Sequence, residues 1–381
     1  MVPAILLVAA IKYPGLRMGA DYSSLTGKTL VHAYAQIGWW AIGLYALSQL
    51  IPAIFIIAAV ALVSAGLIQA VFSTEFSDLW TVIGLLVSSA AILLAGRYHL
   101  LERVVKFVVP LFTLLTFFSV IVALGRLDLS ASSFLLPKLD LPAILFIIAL
   151  AGFMPTPMEA SVFQSLWVDA KSNHMGRRPT LDEARFDFNI GFFSSVILAL
   201  CFLLLGAAVL SGTDAELASS AGGFAIQFIG LFTSAIGDWA FVLIGTISVI
   251  VMLSTLITVV DGYPRVAEAL LNEMRAKRSV EPCQVAEGVP RAYDLSVILL
   301  CVSAVIALAF FMRSFATFID LTSIMVFVIG PIIAFLNHRA VFNGSIPEDQ
   351  RPKSAFRIWS ILSAILMLFV SLLYFYLRFG I

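Results

Sequence analysis

Ten runs of apolar residues alternate along this chain with short clusters of charge, and most of the runs are long enough to cross a hydrocarbon layer as a helix. No other feature constrains the fold as much. A helix of about 20 mostly apolar residues spans a bilayer, and in lipid only helices and closed barrels satisfy their own backbone groups. The runs fall near 1–12, 38–72, 79–96, 102–125, 142–168, 190–211, 238–261, 293–312, 315–337 and 355–378. The first is short for a span, whereas 38–72 exceeds one crossing and must tilt or continue outside the membrane. An apolar segment between Gly222 and Gly237 reads as an interfacial helix leading into 238–261. Asp78, just before Leu79, reads as a helix N-cap. The predicted fold class is all-α and polytopic, with about ten transmembrane helices in a single transmembrane domain over 1–381.

Composition supports this and excludes other classes. Charged residues are 12% of the chain, about half the share in a soluble domain. The formal net charge of +0 leaves no basic field, so nucleic acid is not an expected partner and the lipid bilayer is. Of the 23 Lys and Arg residues, 19 fall in alternate gaps between runs, counting Lys12 and Arg17 in the first gap. The positive-inside rule then puts 13–37, 169–189, 262–292 and 338–354 in the cytoplasm and the C-terminus outside. The expected location is the inner membrane of a bacterial cell. In this scheme the first helix enters from outside with nothing before it, which predicts an upstream helix missing from the sequence.

The chemistry concentrates in 142–168. Pro155 and Pro157 sit two residues apart in the middle of this run. Proline removes a backbone donor and clashes with the preceding turn, so the helix is expected to break near Met154–Pro157. Such breaks occur at membrane depth only where protein or a water-filled cavity receives the freed polar groups, and secondary transporters bind cargo at them. A simple proline kink accounts for the prolines equally well. Glu159 favours the transport reading: it lies inside the same run with no Lys or Arg beside it, and intramembrane carboxylates mark ion or proton paths. Structural bonding to a neighbouring helix is the alternative for Glu159. Asp261-Gly262-Tyr263-Pro264 reads as a turn at a helix end, with a gate as the lesser reading.

Ala151-x-x-Met154-Pro155, Thr26-Gly27-Lys28 after a short helix, Ser254 to Thr258 followed by Gly262, and the run Asp320–Pro331 recur in an order and spacing that resembles the Nramp divalent-metal transporters. The resemblance covers most of the chain. It implies an inverted-repeat fold of two five-helix halves, here with the first helix missing, and transport of manganese or iron with protons as a candidate coupling ion. It also implies that the Met154 sulfur and the Ala151 carbonyl ligate the metal, a thioether being a soft ligand suited to transition metals. Thr156 and Ser161 stand where the family has histidines, and Thr322 or Ser323 where its tenth helix has glutamine. All four histidines (His32, His99, His174, His338) fall in expected cytoplasmic loops, so Glu159 is the candidate replacement in proton handling. The family's first broken helix, which carries Asp-Pro-Gly-Asn, has no match here.

The expected function is secondary transport of a divalent transition metal as substrate, with no resident cofactor. The metal positions are Met154 and Ala151; Thr156, Glu159, Ser161, Thr322 and Ser323 line the path; Pro155 and Pro157 break the helix. An organic-solute or amino-acid carrier of the same architecture is the alternative, and a truncated, inactive homologue is a third. An intramembrane enzyme would need paired aspartates, HExxH or GxSxG, and the sequence contains none of these.

Overall fold

The computed structural model describes residues 1–74, 76–96, 98–126, 141–210, 218, 220–276, 292–312, 314–342 and 346–379. Within these, every regular element is helical: α1 Val2–Thr26, α2 Leu30–Ile37, α3 Trp39–Phe72, α4 Asp78–Leu94, α5 Tyr98–Ala123, α6 Leu141–Phe153, α7 Ala160–Met175, α8 Leu181–Leu210, α9 Ala221–Ile236, α10 Ala240–Ala276, α11 Ala292–Phe311, α12 Phe315–Phe342 and α13 Ser354–Phe379. Eight of them are long and apolar enough to cross a membrane, and α4, α6 and α9 are shorter apolar helices. The predicted all-α polytopic fold is what the chain adopts.

The order of elements repeats. A long helix, a short one, a very long one and two more run from α1 to α5 and again from α8 to α12. The joints between short and long helices are alike at residue level. Thr29 caps α2 by accepting the His32 N–H, and Ser220 caps α9 by accepting the Gly223 N–H, which satisfies one of the donors every helix start leaves free. Both short helices end on a glycine with positive φ, Gly38 at 147° and Gly237 at 102°, where a side chain would be strained. The following helices α3 and α10 have 34 and 37 residues, pack along one another and form the centre of the molecule. At 1.5 Å per residue α3 is about 51 Å long, so the whole run 38–72 is one helix that outreaches the hydrocarbon. Among the described residues the broken pair α6–α7 opens the second half and has no counterpart ahead of α1.

Several boundaries differ from expectation. The run 1–12 does not stop at Lys12: α1 continues as 25 helical residues, with Pro14 inside it, so Lys12 and Arg17 lie in a helix and not in a loop. A lysine in an apolar run reads as its end, but here its charge has partners inside the protein. Asp261–Pro264 is likewise no turn, because α10 runs through Pro264 to Ala276; the first part of the expected loop 262–292 is helical and 277–291 lies outside the described residues. Ser77, one residue before Asp78, holds the N-cap position of α4. His32 and His338 are in helices α2 and α12.

Candidate functional site

Between α6 and α7 the chain leaves helical geometry from Met154 to Glu159, as the two prolines dictate. The Met154–Pro155 peptide is cis. The end of α6 therefore presents carbonyls with no helical N–H to accept, and in a buried site each needs a donor. One side chain supplies three of these donors. The Lys12 ammonium, on α1 and 3% exposed, donates to the carbonyls of Ala151 at 2.9 Å, Gly152 at 3.0 Å and Met154 at 3.0 Å. An ammonium has three donors and no acceptor, so this set satisfies it completely. The geometry depends on close packing around the break: a Cβ on Gly152 would lie 2.1 Å from the Ser323 carbonyl, so only glycine lets α6 press on α12 there.

Glu159 sits at the start of α7, where the helix dipole favours an anion. It is 3% exposed and within electrostatic reach of the Lys12 ammonium. Its Oε1 accepts from the Tyr263 hydroxyl at 3.2 Å, and Tyr263 comes from the α10 segment expected as a turn. Its Oε2 is buried without a hydrogen-bond partner. The hydroxyl of Tyr45 and Oε1 of Gln49, one turn apart on α3, are also buried and unpartnered. Unsatisfied buried polar groups are rare enough in native proteins to require a reason.

Around this core the other expected site residues divide. Ser161 is fully buried and joins a network: it donates to the Met158 carbonyl at 2.8 Å and accepts from Asn337 Nδ2 at 2.8 Å. Asn337 also donates to the Gly15 carbonyl at 2.9 Å and accepts from the Tyr34 hydroxyl, tying α12 to α1, α2 and α7. Thr322 and Ser323 are buried on α12, but their hydroxyls donate back to Phe318 and Ile319 of their own helix. Thr156 and Pro155 line a cavity of about 490 Å³ with Leu16, Gln164, Trp167 and Ser195. The structure thus brings Ala151, Met154 and Glu159 together around Lys12, and places Thr156 on a cavity wall. Lys12, Tyr45, Tyr263 and Asn337 are the members that sequence reasoning missed. An amide and a lysine inside apolar runs are the signals that could have found two of them.

A second cluster lies ten residues or so further along α1. Asp21 is completely buried; its two oxygens accept from Arg185 Nε at 2.8 Å and Nη2 at 3.1 Å, and from Arg17 Nε at 3.2 Å. Beyond it, Asp261 accepts from Arg265 at 2.7 Å and from the Tyr293 hydroxyl at 2.6 Å, beside a cavity of about 820 Å³ that Lys171 and Glu268 also line. No group of three or more His, Cys, Asp or Glu side chains suited to holding a metal ion is present among the described residues.

No family model matches the sequence. Three crystal structures of variants of the manganese transporter of Eremococcus coleocola share its fold, each at a TM-score of 0.67, covering 98% of this chain and 79% of theirs, at 11 to 12% identity. A likeness at that identity shows the fold: the inverted-repeat transporter architecture, in an integral membrane protein. In sequence, the chain is 31% identical over 347 residues to the uncharacterized protein PM0681 of Pasteurella multocida, covering 89% of this chain and 77% of that one. On that match, the chain belongs to the same family as PM0681.

Proposed function

We propose that this protein is a secondary transporter, in a divergent branch of the Nramp family, that moves a divalent transition-metal ion such as manganese or iron by alternating access around the α6–α7 break. One observation supports the reading: beside a helix broken in the buried interior, in the segment that also holds Met154, the carboxylate of Glu159 is buried and its Oε2 has no hydrogen-bond partner. An acceptor left open in a buried site at membrane depth is a seat for a cation or a proton. In this reading Met154 sulfur selects for a soft metal, the Ala151 carbonyl and Glu159 add oxygen donors, and Glu159 is also the proton carrier. Thr156, Ser161, Thr322 and Ser323 belong to the path. The domain is single, works in the inner membrane of a bacterium and has its C-terminus outside.

A second reading, an amino-acid carrier on the same fold, draws on a specific feature. The three carbonyls that hold Lys12 are an ammonium seat, and a substrate α-amino group has the same three donors. Uptake into proteoliposomes separates the two. Mn²⁺ uptake that rises with an inward proton gradient, is not reduced by amino acids and loses its metal selectivity in Met154→Ala supports the metal reading. Unchanged selectivity in an active Met154→Ala preparation rejects Met154 as a ligand, and uptake of an amino acid with none of Mn²⁺ replaces the metal reading by the second. No uptake of either leaves the inactive homologue.

A further inference from the structure

The Ala151 carbonyl that the resemblance would give to a metal already holds a cation, and it is part of the protein. We infer that Lys12 is a tethered counter-cation that occupies the carbonyl seat of the broken helix in the empty carrier, so that cargo cation and Lys12 exclude one another there. The inference rests on the reading of the break as the cargo site.

Lys12 reaches from α1 across to α6, and all three of its donors fall on carbonyls at the break, those of Ala151, Gly152 and Met154, at 2.9 to 3.0 Å. Freed carbonyls and a buried carboxylate are costly in a low-dielectric site unless a positive charge covers them. In the empty state Lys12 covers the carbonyls and lies near Glu159, which balances the charge of the site without an ion from solution. A second cation on the same oxygens would sit within a few ångströms of the ammonium and be repelled by it. The seat therefore holds one cation at a time. A small apolar cavity of about 100 Å³ lies against Lys12, lined by Leu7, Ile11, Ile148 and Met367, and gives the side-chain stem room to move.

The cost to the cargo is a fraction. If the seat is clear of Lys12 for about a tenth of the time, the cargo's apparent affinity falls about ten-fold below its intrinsic value. Removing the charge should recover that factor.

The experiment is equilibrium binding and thermal unfolding of the purified full chain in detergent, for the wild type and for Lys12→Met, Lys12→Arg and Lys12→Ala. The probes are MnCl₂ and methylammonium chloride at constant ionic strength. Lys12→Met should bind Mn²⁺ about ten-fold or more tightly than the wild type, and Lys12→Arg, which keeps the charge, should not. Lys12→Ala should gain thermal stability with methylammonium, saturably, whereas the wild type should not. Methylammonium rescue with no Mn²⁺ binding to any form keeps the inference and removes the metal reading. Equal Mn²⁺ affinity in the wild type and Lys12→Met overturns the inference while leaving the metal reading intact. Loss of the folded state in Lys12→Met and Lys12→Ala, without recovery in methylammonium, overturns it as well, because a cation seat must accept a free cation.

Discussion

Two carboxylates are buried in this molecule to almost the same degree, and they are treated in opposite ways. Asp21 is 0% exposed and both of its oxygens are taken by arginines, Arg17 from its own helix and Arg185 from α8. Glu159 is 3% exposed, and one oxygen has a phenol while the other has nothing. The Asp21 cluster uses a planar guanidinium that fits both oxygens at once, and Arg17 lies over the Phe356 ring at 4.3 Å, so the pair is fixed on several sides. It locks α1 to α8. The Glu159 cluster uses a flexible lysine that bonds to carbonyls and leaves the acid's last valence open. A finished network resists change; an unfinished one waits for a ligand. On the proposed function, this difference separates a structural ion pair from a binding site more sharply than burial or charge does.

The largest expected effect tests the closed side. Asp21→Ala removes the shared partner of two part-exposed arginines, and since breaking a fully buried pair costs about 3–5 kcal/mol, the loss here should reach the lower end of that range. Denaturant unfolding in detergent should show a loss of that size and, if the cluster is only a lock, no change in the Mn²⁺ affinity of the protein that remains folded. The counterpart on the open side is Glu159→Gln. It removes the charge but keeps shape, and its amide can still accept from Tyr263, so stability should stay within about 1 kcal/mol. Binding should fall about ten-fold or more, since a hydrogen bond or ligand contact to a charged group contributes about 1.5–3 kcal/mol. If Glu159→Gln unfolds like Asp21→Ala and binds like the wild type, the two acids play the same part and the contrast drawn between them is wrong.

Much of this was legible in the sequence. Apolar length and the two prolines are local properties, so the helical class and the break at Met154–Glu159 follow from them directly. The unpaired acid in the same run gave Glu159. Lys12 was misplaced for an instructive reason: positive charge normally marks a helix end at the membrane surface, and only tertiary contacts 139 to 142 residues away reverse that. Tyr263 was hidden because Gly262 and Pro264 flank it as turn residues do, although proline in a long packed helix is tolerated when neighbours hold the helix in place. The recurrence of Gly38-Trp39-Trp40 as Gly237-Asp238-Trp239 is a sequence trace of the repeat at its joints, but three residues are too few to stand out from chance.

A pair of glycines sharpens the comparison at intermediate cost. Gly19, two residues from Asp21, faces the Ser161 carbonyl so closely that a Cβ would lie 2.1 Å from it, and Gly152 meets the Ser323 carbonyl at the same distance. Either Gly→Ala change forces helices apart, and overpacking of this kind costs about 1–3 kcal/mol. Thermal unfolding should register both alike. Mn²⁺ titration should separate them, with Gly152→Ala changing affinity more than Gly19→Ala because it moves a carbonyl that Lys12 holds. Equal effects on binding would mean that the seat is not confined to the break.

The smallest effect probes the bond that half-closes the open acid. In Tyr263→Phe the ring keeps its edge-on packing against Phe163, at 4.9 Å and 86°, so little packing is lost. What disappears is the hydroxyl's bond to Glu159 Oε1, a contribution of about 1 kcal/mol. Both oxygens of Glu159 are then open. If they belong to the cargo seat, saturating Mn²⁺ supplies what the phenol supplied, and the variant should gain more thermal stability from Mn²⁺ than the wild type does. A purely structural Glu159 predicts the reverse: a small stability loss that no concentration of Mn²⁺ restores. The sign of that difference, measured on one conservative variant, decides whether the unfilled valence of Glu159 is a vacancy for cargo or a flaw in the packing.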